Sequence, residues 1–153
     1  MKNQQQITVS EVQLTYKNKV KASDRKKITC SRDAYNVFMD NWNPEILEFV
    51  EEFKILLMNR SNSVLGILEI SKGGISGTVT DVRVIFQAAI KGNASGIICA
   101  HNHPSSNTNP SESDNKITEK IKSAGNLLDI QLLDHLILTT EDDYFSYADN
   151  GLL

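Results

Sequence analysis

Six residues, Phe53-Lys54-Ile55-Leu56-Leu57-Met58, limit what this chain can fold into more than any others. They form an almost unbroken apolar run of strand length, followed directly by the turn sequence Asn59-Arg60-Ser61-Asn62. A strand with one wet face alternates apolar and polar residues. A run that is apolar at odd and even positions alike is the pattern of a strand covered on both faces. A second strand over Val64 to Ile70 follows the turn, so the pair reads as a hairpin.

The remaining elements arrange themselves around that strand. Residues 7 to 16 alternate loosely (Ile7, Val9, Val12, Leu14, Tyr16) and predict a strand with an irregularity. Ser31 is placed to cap a helix running to about Asp40, and Pro44 marks a break before a short apolar segment ending in Phe49-Val50. Gly73, Gly74 and Gly77 allow a tight loop. Thr80 or Asp81 can cap the next helix, where Val82, Ile85, Phe86 and Ala89 recur at helical spacing and Gly92 stands just past the end. Ile97 to Ala100 predicts a short buried strand running straight into His101. A further helix starts near Ser111, with Ile117, Ile121 and Ala124 on one face and Gly125 near its end. Ile130 to Thr139 and Tyr144 to Ala148 supply the last two strands. The expected class is α/β (α+β), a single mixed β-sheet flanked by helices. No repeat or long linker divides the chain, so residues 1–44 read as an N-terminal strand and helix extension packed on a main unit of residues 45–153.

Composition narrows the function. A length of 153 residues suits one domain, and 40% hydrophobic residues suffice for one core. No window approaches the 18 or so apolar residues of a membrane span. The polar start, Met1-Lys2-Asn3-Gln4-Gln5-Gln6, does not resemble a signal peptide, so the cytoplasm is the expected compartment. Cys30 and Cys99 are far apart and have no CxxC partner, which argues against a disulfide framework and against a thiolate zinc site. The net charge of -3 lacks the basic footprint of a nucleic-acid binder, and the basic cluster from Lys17 to Lys27 reads as a solvated loop.

The chemistry concentrates in Ala100-His101-Asn102-His103-Pro104 and, after a short loop, Pro110-Ser111-Glu112-Ser113-Asp114. Histidines two apart on an extended segment project to the same side. Asp114, in the first turn of the next helix, can return to them across a loop stiffened by Pro104 and Pro110. Two imidazoles and one carboxylate leave a tetrahedral position for water, the layout of a catalytic zinc site rather than a structural one. A plainer reading stands beside this one. A lone His-x-His is common, and Ser111-x-x-Asp114 also matches a helix capping box. The conjunction favours the site, because active sites of α/β sheets gather at strand carboxyl ends.

The string His101-x-His103-x(7)-Ser111-x(2)-Asp114 resembles the JAMM (MPN+) motif, and His-Asn-His-Pro-Ser with Pro-Ser-x-x-Asp is similar to its RadC branch. Glu51-Glu52-Phe53, the glycine-rich Gly73-Gly74-Ile75-Ser76-Gly77-Thr78 and Leu133-Asp134-His135-Leu136-Ile137 resemble further family segments, in the family's order over roughly residues 45 to 150. The resemblance implies a JAB/MPN-type fold with a cytidine-deaminase-like architecture. It also implies a zinc-dependent hydrolase, metallopeptidase or isopeptidase-like, in which His101, His103 and Asp114 bind Zn2+, Glu51 is the general acid/base and Ser111 steadies the oxyanion. Register favours Glu51 over Glu52, which would point to the opposite face of an extended strand. This chain departs from the family in having Ser106 where a glycine is usual. Residues 1–44 are also too short and strand-like for the helix-hairpin-helix region that RadC proteins commonly carry.

Asp134-His135 reads as a further ligand pair or a second layer around the ligands, but a histidine beside Leu133, Leu136 and Ile137 is more simply a satisfied structural residue. Asp142-Asp143 reads as a solvated turn. The deaminase pattern fails, since neither His-x-Glu nor Pro-Cys-x-x-Cys is present. The expected partner is a protein or peptide substrate; charge disfavours nucleic acid without excluding it, no membrane contact is expected, and a homodimer is open through an unpaired N-terminal strand. The alternatives are a non-catalytic partner-binding module and a DNA-repair-associated metal-dependent protein.

Overall fold

The computed structural model describes residues 8–74 and 78–153. One helix, α1 (Ser31–Asp40), precedes the hairpin of β1 (Glu52–Met58) and β2 (Val64–Lys72). Then come α2 (Val82–Lys91), β3 (Gly96–Asn102), α3 (Glu112–Leu128), β4 (Gln131–Leu138) and β5 (Tyr144–Ser146). The five strands form one mixed sheet in the order β2-β1-β3-β4-β5. Only β3 and β4 run parallel; α3 makes the crossover between them, and the other pairs are antiparallel. The fold is the mixed α/β sheet with flanking helices that the alternation of elements implies.

Every residue of β1 and of β3 is buried, as the apolar run requires. Strand pleating sorts their side chains into two cores. On one face, Leu56, Met58, Ile98, Ala100, Leu136 and Leu138 pack against Tyr35, Phe38 and Trp42 from the α1 side. On the other, Phe53, Ile55, Leu57, Ile97 and Cys99 pack against Ile85, Phe86 and Ile121 from α2 and α3. Each large apolar side chain buried in this way contributes roughly 1.5–3 kcal/mol, so both layers are needed to hold the central strands.

Local chemistry sets the helix ends. Asp81 caps α2 by accepting from the Arg83 amide at 2.9 Å. At α1 the capping position is Cys30 rather than Ser31, and Asp33 instead reaches back to the Thr29 amide and hydroxyl at 2.7 and 2.6 Å. Gly125 lies inside α3, where a Cβ would fall 2.3 Å from the Ile130 carbonyl oxygen; only glycine lets the helix pass the start of β4 so closely.

The strand expected over residues 7 to 16 does not form. Residues 8–18 carry no regular structure, and Val9, Val12 and Leu14 are exposed; Ile7 lies outside the described residues. An alternating sequence becomes a strand only against a free edge, and this segment touches the edge strand β2 through Asn18, whose amide donates to the Leu65 carbonyl at 2.7 Å. Of the glycine-rich loop, Gly73 donates its amide to the Glu51 carbonyl at 2.8 Å, while Ile75, Ser76 and Gly77 lie outside the described residues. No described helix is long and apolar enough to cross a membrane.

Candidate metal centre

Strand β3 continues past its apolar stretch to His101 and Asn102, at the end of the sheet where its neighbour β1 begins. The pleat turns His101 to the α3 side, and His103, the first residue beyond the strand, reaches the same side. Asp114 meets them from the first turn of α3. The Nε2 atoms of His101 and His103 lie 2.9 Å apart. Asp114 Oδ1 is 3.1 Å from His101 Nε2, and Oδ2 is 3.3 Å from His103 Nε2. Among the described residues this is the one group of three or more potential metal ligands, with its donor atoms within 4.8 Å of one another.

The capping box is present as well. Ser111 Oγ accepts from the Asp114 amide at 3.0 Å, and Asp114 Oδ2 accepts from the Ser111 amide at 2.7 Å. The two readings of Ser111-x-x-Asp114 are therefore compatible: the cap fixes the carboxylate rotamer that faces the histidines. Ser111 uses an oxygen lone pair on this bond, which leaves its hydroxyl proton for another acceptor.

These groups line one open cavity of about 830 Å³. Glu51, His101, His103, Ser111 and Asp114 all border it, with Lys116 and Lys120 of α3 further along its wall. Glu52 does not border it. Its carboxylate is buried, 3.4 Å from Lys72 and 3.7 Å from Lys54, as expected for neighbours on opposite faces of an extended segment.

The segment bearing Glu51 is clamped by the residue between the two histidines. Asn102 donates to the carbonyls of Leu47 and Val50, each at 2.9 Å, and accepts from the Glu52 amide at 2.8 Å. Asn102 itself is fully buried. Three otherwise unpaired backbone groups on both sides of Glu51 thus find their partners in one amide.

Electrostatics follow from this crowding. Burial pushes the Glu51 carboxyl above the ordinary carboxylate value, and the Asp114 charge adds to that against the opposing pull of His101 and His103. Burial alone would raise Asp114 too, but hydrogen bonds from His101 and His103 outweigh it and hold that carboxyl far below the usual range. Burial works against a charged His103, yet the Asp114 carboxylate and the Asn107 carbonyl beside it raise its pKa.

His135 stands closer to the site than its apolar neighbours in the sequence suggest. Its Nε2 is 2.8 Å from His101 Nδ1, and its Nδ1 is 2.7 Å from Thr118 Oγ1. It is fully buried, and burial first, then His101, pushes its pKa well down. Thr118 carries no motif signal of its own, although its spacing four residues after Asp114 puts both on one helix face. Asp134 points away, accepting from Ser146 Oγ at 2.6 Å and from the Ala148 amide at 3.0 Å.

The model of the RadC-like JAB domain family matches residues 28–152. The chain belongs to that family. Its relatives include a "UPF0758 protein" of Flavobacterium johnsoniae, 48% identical over 128 residues, which are 83% of this chain and 54% of the relative. Another of that name, from Porphyromonas gingivalis, is 42% identical over 130 residues, 84% of this chain and 56% of the relative. One from Clostridium beijerinckii is 39% identical over 127 residues, 83% and 54% of the two chains. This RadC-like JAB domain thus spans about half the length of the curated relatives it matches. The match also takes in α1, whose aromatic residues seal one face of the sheet. In this member of the family, His101, His103 and Asp114 form a group able to hold a metal ion.

Proposed function

We propose that this RadC-like JAB domain is a zinc-dependent hydrolase that cleaves an amide bond of a peptide or isopeptide substrate. One observation carries the reading. Two imidazole nitrogens and a buried carboxylate converge in an open cavity, and a second carboxylate, Glu51, borders the same cavity without belonging to the cluster. Imidazole and carboxylate donors in this number suit a catalytic Zn2+ held by His101, His103 and Asp114. When bound, such an ion acts as a Lewis acid and brings the acidity of a coordinated water to a pKa of about 7.

The chain's own side chains then divide the remaining work. Glu51 accepts the proton of the attacking water and returns it to the leaving amine nitrogen. Its raised pKa makes Glu51 the stronger base in the first half of that exchange. Ser111 directs its remaining hydroxyl proton toward the negative oxygen that develops on the carbonyl. Thr78, Val79 and Thr80 also line the cavity and offer contact to the substrate chain. A net charge of -3 makes a nucleic-acid substrate the poorer fit.

Zinc-loaded protein and its Glu51→Gln variant, assayed on a panel of peptides and isopeptide-linked conjugates, test the proposal. The wild type should turn over at least one substrate, and the variant should lose roughly 100-fold or more in rate while keeping its zinc. Equal activity of the two proteins would remove Glu51 from the reaction. An inert zinc-loaded wild type that captures a protein partner instead would favour a binding module.

A further inference from the structure

The two histidine ligands differ in what holds the nitrogen that faces away from the centre. His103 Nδ1 meets the Asn107 backbone carbonyl, which can only accept, so that nitrogen carries a proton and, in the neutral ring that a cation requires, Nε2 offers a lone pair. His101 has no carbonyl there. Its Nδ1 meets another imidazole, His135 Nε2, and an imidazole nitrogen can be donor or acceptor. Unless something settles that choice, half of the arrangements put a proton on His101 Nε2, the atom that faces Asp114 and His103.

The next links settle it. Thr118 Oγ1 is 2.6 Å from the Asp114 backbone carbonyl and 2.7 Å from His135 Nδ1. A hydroxyl has one proton, and a carbonyl can only accept, so the Thr118 proton goes to Asp114. The Thr118 oxygen is then an acceptor toward His135, which must donate from Nδ1. A neutral His135 that donates from Nδ1 accepts at Nε2, and His101 therefore donates from Nδ1. We infer that His135 and Thr118 are positioning residues, a hydrogen-bond chain of fixed direction that presents the Nε2 lone pair of His101 to the cation.

The chain is anchored at both ends in the centre itself. It begins at His101 and ends on the backbone carbonyl of Asp114, to which Thr118 donates from one helical turn further along α3. Its rings are held in plane by neighbours. Phe53 stacks on His101 with 4° between planes, and Tyr147 stacks on His135 with 11°. Thr118 and His135 are both buried, so water does not compete for the bonds. Outer partners of metal-bound histidines fix tautomer and ring orientation in this manner, and their loss typically costs 10- to 100-fold in metal affinity.

The inference rests on the proposed zinc centre, and the test separates the two. Zinc affinity is measured by competition with a chelating dye for the wild type, Thr118→Val, Thr118→Ser and His135→Phe, with the fold of each metal-free protein followed by circular dichroism. Thr118→Val and His135→Phe should each bind zinc about 10- to 100-fold more weakly, and Thr118→Ser should bind as the wild type does. The double variant Thr118→Val/His135→Phe should lose little beyond the single variants, because both break the same chain. A folded Thr118→Val protein with wild-type affinity would overturn the inference. Imidazole nitrogen–proton correlation spectra of the zinc-loaded wild type supply a test that needs no variant. They should show His135 protonated at Nδ1 and bare at Nε2, and the opposite tautomer would equally overturn it. A wild type that takes up no zinc would overturn the metal centre first, and the chain with it.

Discussion

At residues 101 to 103 the two faces of the sheet do different work. On the α3 side, the ring nitrogens of His101 and His103 meet Asp114 directly, at the wall of an open cavity. On the α1 side, Asn102 is sealed in the interior and spends its amide on the backbone around Glu51. Alternation along three residues thus assigns the potential metal-binding groups to one layer and placement of the Glu51 segment to the other. The lesson is that metal affinity and the position of Glu51 answer to different side chains, and should respond separately to substitution.

The largest effect is expected deep in the α1 layer. Phe38 is fully buried there, so Phe38→Ala should cost about 3–5 kcal/mol in unfolding free energy while zinc affinity of the folded fraction stays unchanged. Chemical denaturation and dye competition on one sample measure both. A parallel loss of affinity would mean that the two layers are not separable.

Asn102→Ala comes next. It strands three buried backbone groups, and a cost of about 2–4 kcal/mol is expected from their lost partners. Zinc binding should persist, whereas hydrogen exchange at the Glu52 amide should accelerate and turnover should fall. Loss of zinc with intact turnover would invert the proposed division of labour.

A pH series without metal separates the groups of the α3 side. His103 has its pKa raised above 6.5 by folding, so it stabilises the fold below that value and the stabilisation fades as pH rises through the folded pKa. His135 has its pKa lowered by burial. The unfolded chain then takes up the extra proton as pH falls below 6.5, and stability is lost in that direction. The metal-free melting temperature should therefore peak near pH 6.5. Zinc affinity should behave differently, rising roughly tenfold per pH unit for each proton the metal must displace. A metal-free optimum several units away would show that other carboxylates dominate.

The smallest effect belongs to the loop after His103. Ser106 has φ of 61°, the left-handed region where side chains are strained. Glycine adopts this conformation without that strain, so Ser106→Gly should stabilise the protein by about 0.5–1 kcal/mol in thermal unfolding. A destabilised variant would mean that the Ser106 side chain makes a compensating contact.

Much of this architecture could be read before any coordinates. The apolar run at Phe53–Met58 and the Ile97–Ala100 strand feeding His101 follow from elementary periodicity, and both strands are buried as required. Ser111-x-x-Asp114 was legible twice over, as a cap and as part of a group able to hold a metal ion, because one carboxylate has two oxygens to offer. What stayed hidden depended on register. His135 pairs with Cys99 across β3 and β4 only after an irregularity at Ile97/Ile98 shifts the alignment, and no pattern in the sequence announces that shift. Residues 8–16 show the converse. Their alternation suits a strand, but the strand also needs a partner, and the segment pairs with no strand among the described residues.

Metal content of the purified protein tests the central claim most directly. Elemental analysis after zinc loading at neutral pH should find about one ion per wild-type chain and almost none in a folded His103→Ala variant. A well-folded wild type that stays free of metal under those conditions would contradict the account.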